Sequence, residues 1–161
     1  MKLTVGVADL RVSANPEDIL ITHALGSCLG IVVYDPVAVV GGLLHVMLPL
    51  STIDPDKARD NPCTFVDTGV PRLFVECYRL GAVKQRMVVK VAGGACVQQS
   101  TNGDDYFQIG KRNIVMLRKL LWRNGVLLSA EDVGGTHSRT LSLHVGTGQV
   151  LVRSGNSEYE L

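Results

Sequence analysis

Short runs of aliphatic and β-branched residues, at 3–12, 19–25, 29–34, 39–48, 87–92, 126–130, 140–145 and 149–153, recur along the whole chain. Most are bounded by Gly, Pro, Asn or Asp, the punctuation expected of strands. Gly146-Thr147-Gly148 separates the last two, which predicts an antiparallel hairpin there. Two stretches carry helical spacing instead. The first, 64–79, repeats Phe65, Val66, Val70, Leu73, Phe74 and Cys77 at mostly three- and four-residue steps, with Pro71 predicting a kink or a delayed start. The second, 111–123, places Ile114, Met116, Leu117, Leu120 and Leu121 on one side and stops at Asn124-Gly125. Many strands with two main helices imply an α+β layered sandwich, a mostly antiparallel or mixed β-sheet with the helices packed on it. At 161 residues one domain over 1–161 is expected, burying roughly 70% of its unfolded surface. The segment 49–62, with Pro49, Pro55, Pro62 and several charges, reads as a mobile surface loop following closely on His45, and so as a candidate lid.

Bulk properties narrow the function. The formal net charge is +1 and no Lys/Arg run exists, so nucleic acid is not an expected partner. Mean hydropathy is +0.21, yet no apolar run approaches the roughly 18 residues needed to insert through a bilayer. Asp9 interrupts the first apolar stretch before a secretory signal could form, which places the protein in the cytoplasm. Cys28, Cys63, Cys77 and Cys96 are therefore expected as reduced thiols, and with no close CxxC pair no metal site is expected. Nor does any pattern call for an organic cofactor: Gly93-Gly94 follows a strand, but no P-loop lysine comes after it.

The segment Thr22-His23-Ala24-Leu25-Gly26-Ser27-Cys28 ends one strand, turns at Gly26-Ser27 and re-enters another at Leu29. Gly26 removes bulk beside the thiol, and backbone N–H groups of such a turn can face a developing oxyanion. The next strand carries His45 among aliphatic residues, and the Tyr34-Asp35-Pro36 turn would set it beside Cys28. An imidazole that takes the thiol proton creates a nucleophile for a carboxamide carbon, then protonates departing ammonia and activates water against the thioester. A pair ionised in this way would be alkylated well below about pH 8. Thr22, whose hydroxyl can accept the ring N–H, is a candidate to orient the imidazole. On residue chemistry alone, a core cysteine and a core histidine explain the same pattern.

The string Ala24-Leu25-Gly26-Ser27-Cys28, then Asp35-Pro36 and His45-Val46-Met47-Leu48-Pro49, resembles the chemoreceptor glutamine deamidase family, CheD. The likeness continues in Val91-Ala92-Gly93-Gly94-Ala95, in Ile109-Gly110-Lys111-Arg112-Asn113, and in Ala130-Glu131-Asp132-Val133-Gly134-Gly135 with Arg139. It implies an α/β sandwich that converts particular receptor glutamines to glutamates with release of ammonia. It implies Cys28 as nucleophile, His45 as acid/base and Thr22 as third residue, with chemoreceptor cytoplasmic domains as substrate and a CheC-type phosphatase as a partner. A module acting mainly by docking that phosphatase is the alternative, and a protease or transglutaminase a third. Gly26, Ser27, Gly93, Gly94 and Asn113 are candidates to line the cleft or supply oxyanion donors, with capping and packing the plainer role for Asn113. Asp132 with Arg139 reads as a structural ion pair, Cys77 as core, and His137 as surface. His23 should face away from Thr22, and Cys96 is the further cysteine to examine for cleft exposure.

Overall fold

The computed structural model describes residues 1–97 and 106–161. They form two five-stranded sheets. The strands of the first are, in spatial order, β1 (Lys2–Thr4), β3 (Ile19–Leu25), β8 (Arg139–His144), β9 (Val150–Ser154) and β10 (Ser157–Glu160). Those of the second are β2 (Asp9–Ser13), β5 (Val40–Val46), β4 (Leu29–Asp35), β6 (Val88–Gly93) and β7 (Leu128–Val133). Pairing is antiparallel except for β1 with β3 and β6 with β7, and the 140–153 hairpin is antiparallel as expected. Three α-helices accompany them: α1 (Pro55–Asp60), α2 (Val66–Arg79) and α3 (Tyr106–Arg123). None is long and apolar enough to cross a membrane.

The α+β sandwich is thus what the chain forms, with its strands divided between two sheets. One core lies between the second sheet and α2 and α3, and takes Leu29, Ile31 and Val33 from β4. The other lies between the sheets and takes Val32 and Tyr34 from the same strand. Every residue of β4 and β5 is buried, because helices cover one face and the first sheet covers the other. Gly30 leaves room for Leu25 and Leu141, whose side chains would lie within 3 Å of any Cβ there.

Three expectations change. The run 3–12 is split into β1 and β2, which belong to opposite sheets and are joined by a crossing at 5–8. The segment 49–62 is folded rather than a loose lid. Asp54 caps α1 by accepting from the Lys57 N–H, Asp67 holds Ser51, and Asn61 donates to the Ala8 carbonyl. α2 begins at Val66 and continues past Pro71, which lies on its exposed side.

The turn between β4 and β5 is fastened by Asp35, which accepts from the N–H groups of Val37, Ala38 and Val83 and from the Arg86 guanidinium. Burial alone would raise its pKa, but Arg86 and these backbone donors outweigh it and hold the carboxyl well below the usual carboxylate range. Its stabilisation is therefore present above about pH 4 and is lost as pH falls below that. Asp35→Asn is expected to cost about 3 kcal/mol at pH 7, and in urea unfolding the gap to wild type should narrow as pH drops below 4.

Candidate active site

Thr22 is fully buried in β3 of the first sheet and His45, 1% exposed, in β5 of the second. They meet between the sheets, with Thr22 Oγ1 2.7 Å from His45 Nδ1. The same hydroxyl lies 2.8 Å from the Val5 carbonyl, in the crossing from β1 to β2. A carbonyl only accepts, so the hydroxyl proton points at Val5 and the oxygen accepts from Nδ1–H. That assignment fixes the imidazole tautomer and leaves the lone pair on Nε2. Nε2 is buried without a hydrogen-bond partner among the described residues. Burial pushes the His45 pKa below its ordinary value, so the bare lone pair is the resting state.

Gly30 stands directly opposite His45 across the β4–β5 ladder, and Cys28 lies two residues further along, on the same face of the sheet. The Cys28 thiol packs at the edge of the inter-sheet core and is partly exposed. Burial pushes its pKa up, with its own backbone N–H pulling the other way. Both shifts favour the neutral pair, so in the unliganded site the proton belongs on sulfur. The sequence expectation of ready alkylation below pH 8 assumed an ionised pair, and burial opposes one.

The turn carrying the thiol is held through its carbonyls. Gly26 O accepts from Ala95 N–H at 2.8 Å, Ser27 O from Asn113 Nδ2 at 2.9 Å, and Cys28 O from Gly94 N–H at 2.9 Å. The Ser27 N–H takes no part in the backbone hydrogen bonds of the described residues, and the Cys28 N–H lies against its own thiol. In a trans peptide the C=O and the following N–H point oppositely. Asn113, by drawing the Ser27 carbonyl toward α3, therefore turns the Cys28 N–H away from that helix. Asn113 is itself fully buried and also donates to Met47 O at 3.1 Å, so one side chain ties the flank of Cys28 to the flank of His45. Its place inside α3 excludes a capping role at that helix's start.

Gly93 and Gly94 serve close approach. Gly93 has φ +118, and a Cβ there would collide with the Cys28 carbonyl oxygen. Gly94, φ +64, fits against Ile114 and Gly110 of α3. Behind them Arg139 pairs with Asp132, which also accepts from Tyr159, and reaches Gly93 O at 3.4 Å. That ion pair is structural, as expected.

A cleft of about 290 Å³ opens over the thiol, lined by Ala24, Gly26, Ser27, Cys28, Cys96 and Ile109 among others. Cys96 is thus a cleft residue, whereas Cys77 lies in the helix-side core with its pKa pushed up to about 12 by burial. His23 is exposed, facing away from Thr22, and His137 is exposed. Sequence reasoning missed the Val5 carbonyl, which has no side-chain signature. It also missed a bulge in β3. From Thr22 to Leu25 the strand spends three steps where β8 spends two, Leu141 to Arg139, and Ala24 takes φ +57.

A thiol, a bare imidazole nitrogen and a turn whose N–H groups can face a developing charge are what a thiol acyl-transfer enzyme requires. The chain belongs to the CheD family: residues 47–154 match its model, described as CheD chemotactic sensory transduction. Three relatives carry the likeness over the rest. The probable chemoreceptor glutamine deamidase CheD 1 of Syntrophus aciditrophicus is 53% identical over 93% of this chain and 92% of its own. That of Solibacter usitatus is 48% identical over 99% and 93%, and the CheD 2 of Anaeromyxobacter dehalogenans 44% over 96% and 95%.

Iodoacetamide alkylation of Cys28, taken as wild type minus Cys28→Ala, is expected to climb through about pH 9 without a plateau below pH 8. A plateau by pH 7 would instead show a resting thiolate–imidazolium pair.

Proposed function

We propose that this protein is a cytoplasmic amidohydrolase that converts glutamine side chains of chemoreceptor cytoplasmic domains to glutamate, releasing ammonia. The observation that carries the chemistry is the Val5–Thr22–His45 series, which leaves a lone pair on Nε2 beside the strand that begins at the thiol. The printed function of the relatives supports the substrate.

Cys28 Sγ attacks the carboxamide carbon as its proton passes to His45 Nε2. The carbonyl oxygen gains charge, and the Cys28 and Ser27 N–H groups are the donors for it. Nε2 returns the proton to nitrogen, the C–N bond breaks and ammonia leaves, forming the thioester. Water then gives a proton to Nε2 and its hydroxide adds to the thioester carbon. Collapse expels the Cys28 sulfur, which takes the proton back, and glutamate is formed. Throughout, Thr22 holds the ring N–H and is a positioning residue.

A second reading, docking of a CheC-type phosphatase, is supported by one feature. An apolar groove of about 220 Å³ between α2 and α3, walled by Val70, Phe74, Tyr78 and Leu121, lies at the end of α3 away from Cys28. A partner seated there would leave the cleft open.

Mass spectrometry of a purified receptor cytoplasmic fragment should show glutamine-to-glutamate conversion, +1 Da, with wild type and none with Cys28→Ala; equal conversion by both would remove Cys28 from the mechanism. Thr22→Val should lower kcat about 10- to 100-fold by freeing the ring to change tautomer, with Thr22→Ser restoring most of it. The acid limb of kcat/KM should lie below pH 6.5, because the lowered His45 pKa keeps the base unprotonated until then.

A further inference from the structure

α3 carries Lys111, Arg112, Arg118, Lys119 and Arg123 and no acidic residue, in a chain of net charge +1. Arg118 is engaged with Glu131 at 2.7 Å. Lys111 and Lys119 form no ion pair among the described residues, and both are exposed. Between them on the same face lies exposed Val115, giving the spacing i, i+4, i+8. Beside this ridge runs a groove of about 300 Å³ whose walls include Pro49, Leu50, Val115 and Met116.

The groove adjoins the catalytic cleft. Gln108 lines the groove while its neighbour Ile109 lines the cleft over Cys28. Met47, two residues past His45 and bonded to Asn113, leads through Leu48 to Pro49 and Leu50 on the groove wall. An apolar floor flanked by lysines thus lies directly beside the cleft over Cys28.

We infer that this groove along α3 docks an acidic amphipathic helix of the protein substrate. The inference rests on the deamidase reading for the identity of that substrate, and on the groove alone for its chemistry. The charge of the occupant follows from Lys111 and Lys119, which an acidic partner pairs and a basic one opposes. Its helical form follows from the wall that it meets. An α-helix has no free backbone groups along its side to pair with an extended peptide, whereas its rows of side chains pack against those of a second helix. From Gln108 to Lys119 the ridge is about 17 Å long at 1.5 Å per residue, some three turns of a partner.

The test uses two probes. One is a labelled peptide of about 20 residues with leucines at i, i+3, i+4 and i+7 and glutamates flanking them, free of glutamine. The other is the receptor fragment. Wild type should bind the peptide, and Lys111→Glu/Lys119→Glu should bind it at least about tenfold more weakly. A scrambled peptide of the same composition should also bind more weakly. With the receptor fragment the double variant should raise KM at least about tenfold and keep kcat within about twofold. Its Cys28 alkylation rate should match wild type, showing an intact site. Wild-type KM should rise as salt goes from about 50 to about 300 mM, and the variant's should stay flat.

Equal peptide binding by wild type and variant overturns the inference, as does scrambled peptide bound as tightly as helical. Lysine-dependent retention on phosphatidylglycerol vesicles without peptide binding overturns it in favour of a membrane surface. Lysine-dependent peptide binding with no deamidation of the fragment keeps the docking groove and sinks the deamidase reading. Deamidation at unchanged KM does the reverse.

Discussion

The hydrogen bond between Thr22 and His45 joins two sheets whose facing surfaces are otherwise mainly aliphatic, from Leu20 and Leu25 on one side to Val32 and Leu43 on the other. Its strength matters less than its direction. Because the Val5 carbonyl already takes the hydroxyl proton, the imidazole has a single tautomer available and its reactive nitrogen faces away from Thr22. Dryness then keeps that nitrogen unprotonated. The packing that excludes water from the inter-sheet core is therefore the same packing that lowers the His45 pKa.

α3 contributes to the site from behind as well as beside it. Through Asn113 it grips the Ser27 carbonyl, and through Gly110 it backs the Gly94 turn. With Ala95 and Gly94 holding the other two, every carbonyl of the Gly26-Ser27-Cys28 turn is occupied, while the Ser27 N–H takes no part in the backbone hydrogen bonds of the described residues. In the proposed reaction such an arrangement would meet developing negative charge without rearrangement. Glycine is required at position 93 because the chain must pass so close to Cys28 in a left-handed conformation.

How far the sequence reveals this depends on where each signal resides. The strand runs, the 140–153 hairpin and the apolar faces of both main helices are local patterns, and the chain follows them. The break within 3–12 is not local: Gly6 sits mid-run, but a change of sheet depends on partners far away in sequence. The segment 49–62 looks mobile by composition, yet Asp54, Asn61 and Asp67 spend their polar groups on caps and ties that order it. Cys28, His45 and Thr22 stand out as candidates because a short turn makes β4 and β5 neighbours and because the surrounding motifs resemble a family, and the structure brings Thr22 and His45 into contact. The Val5 carbonyl is illegible, being backbone. Asn113 shows its residue type but not its two carbonyl partners, which come from segments 86 and 66 residues away.

The bulge between Thr22 and Leu25 works as a phase shifter. On an uninterrupted strand, an inward Thr22 would put Leu25 outward, yet here both are buried, with His23 and Ala24 together outside. The extra residue lets the chain keep its hydroxyl inside and still arrive at Gly26 in step with Ala95. Sequence distance between Thr22 and Cys28 consequently bears on the proposed reaction. A homologue or a design with one residue fewer in that interval would retain all three side chains and present them out of register. Length in this stretch thus matters to the proposed chemistry alongside residue identity.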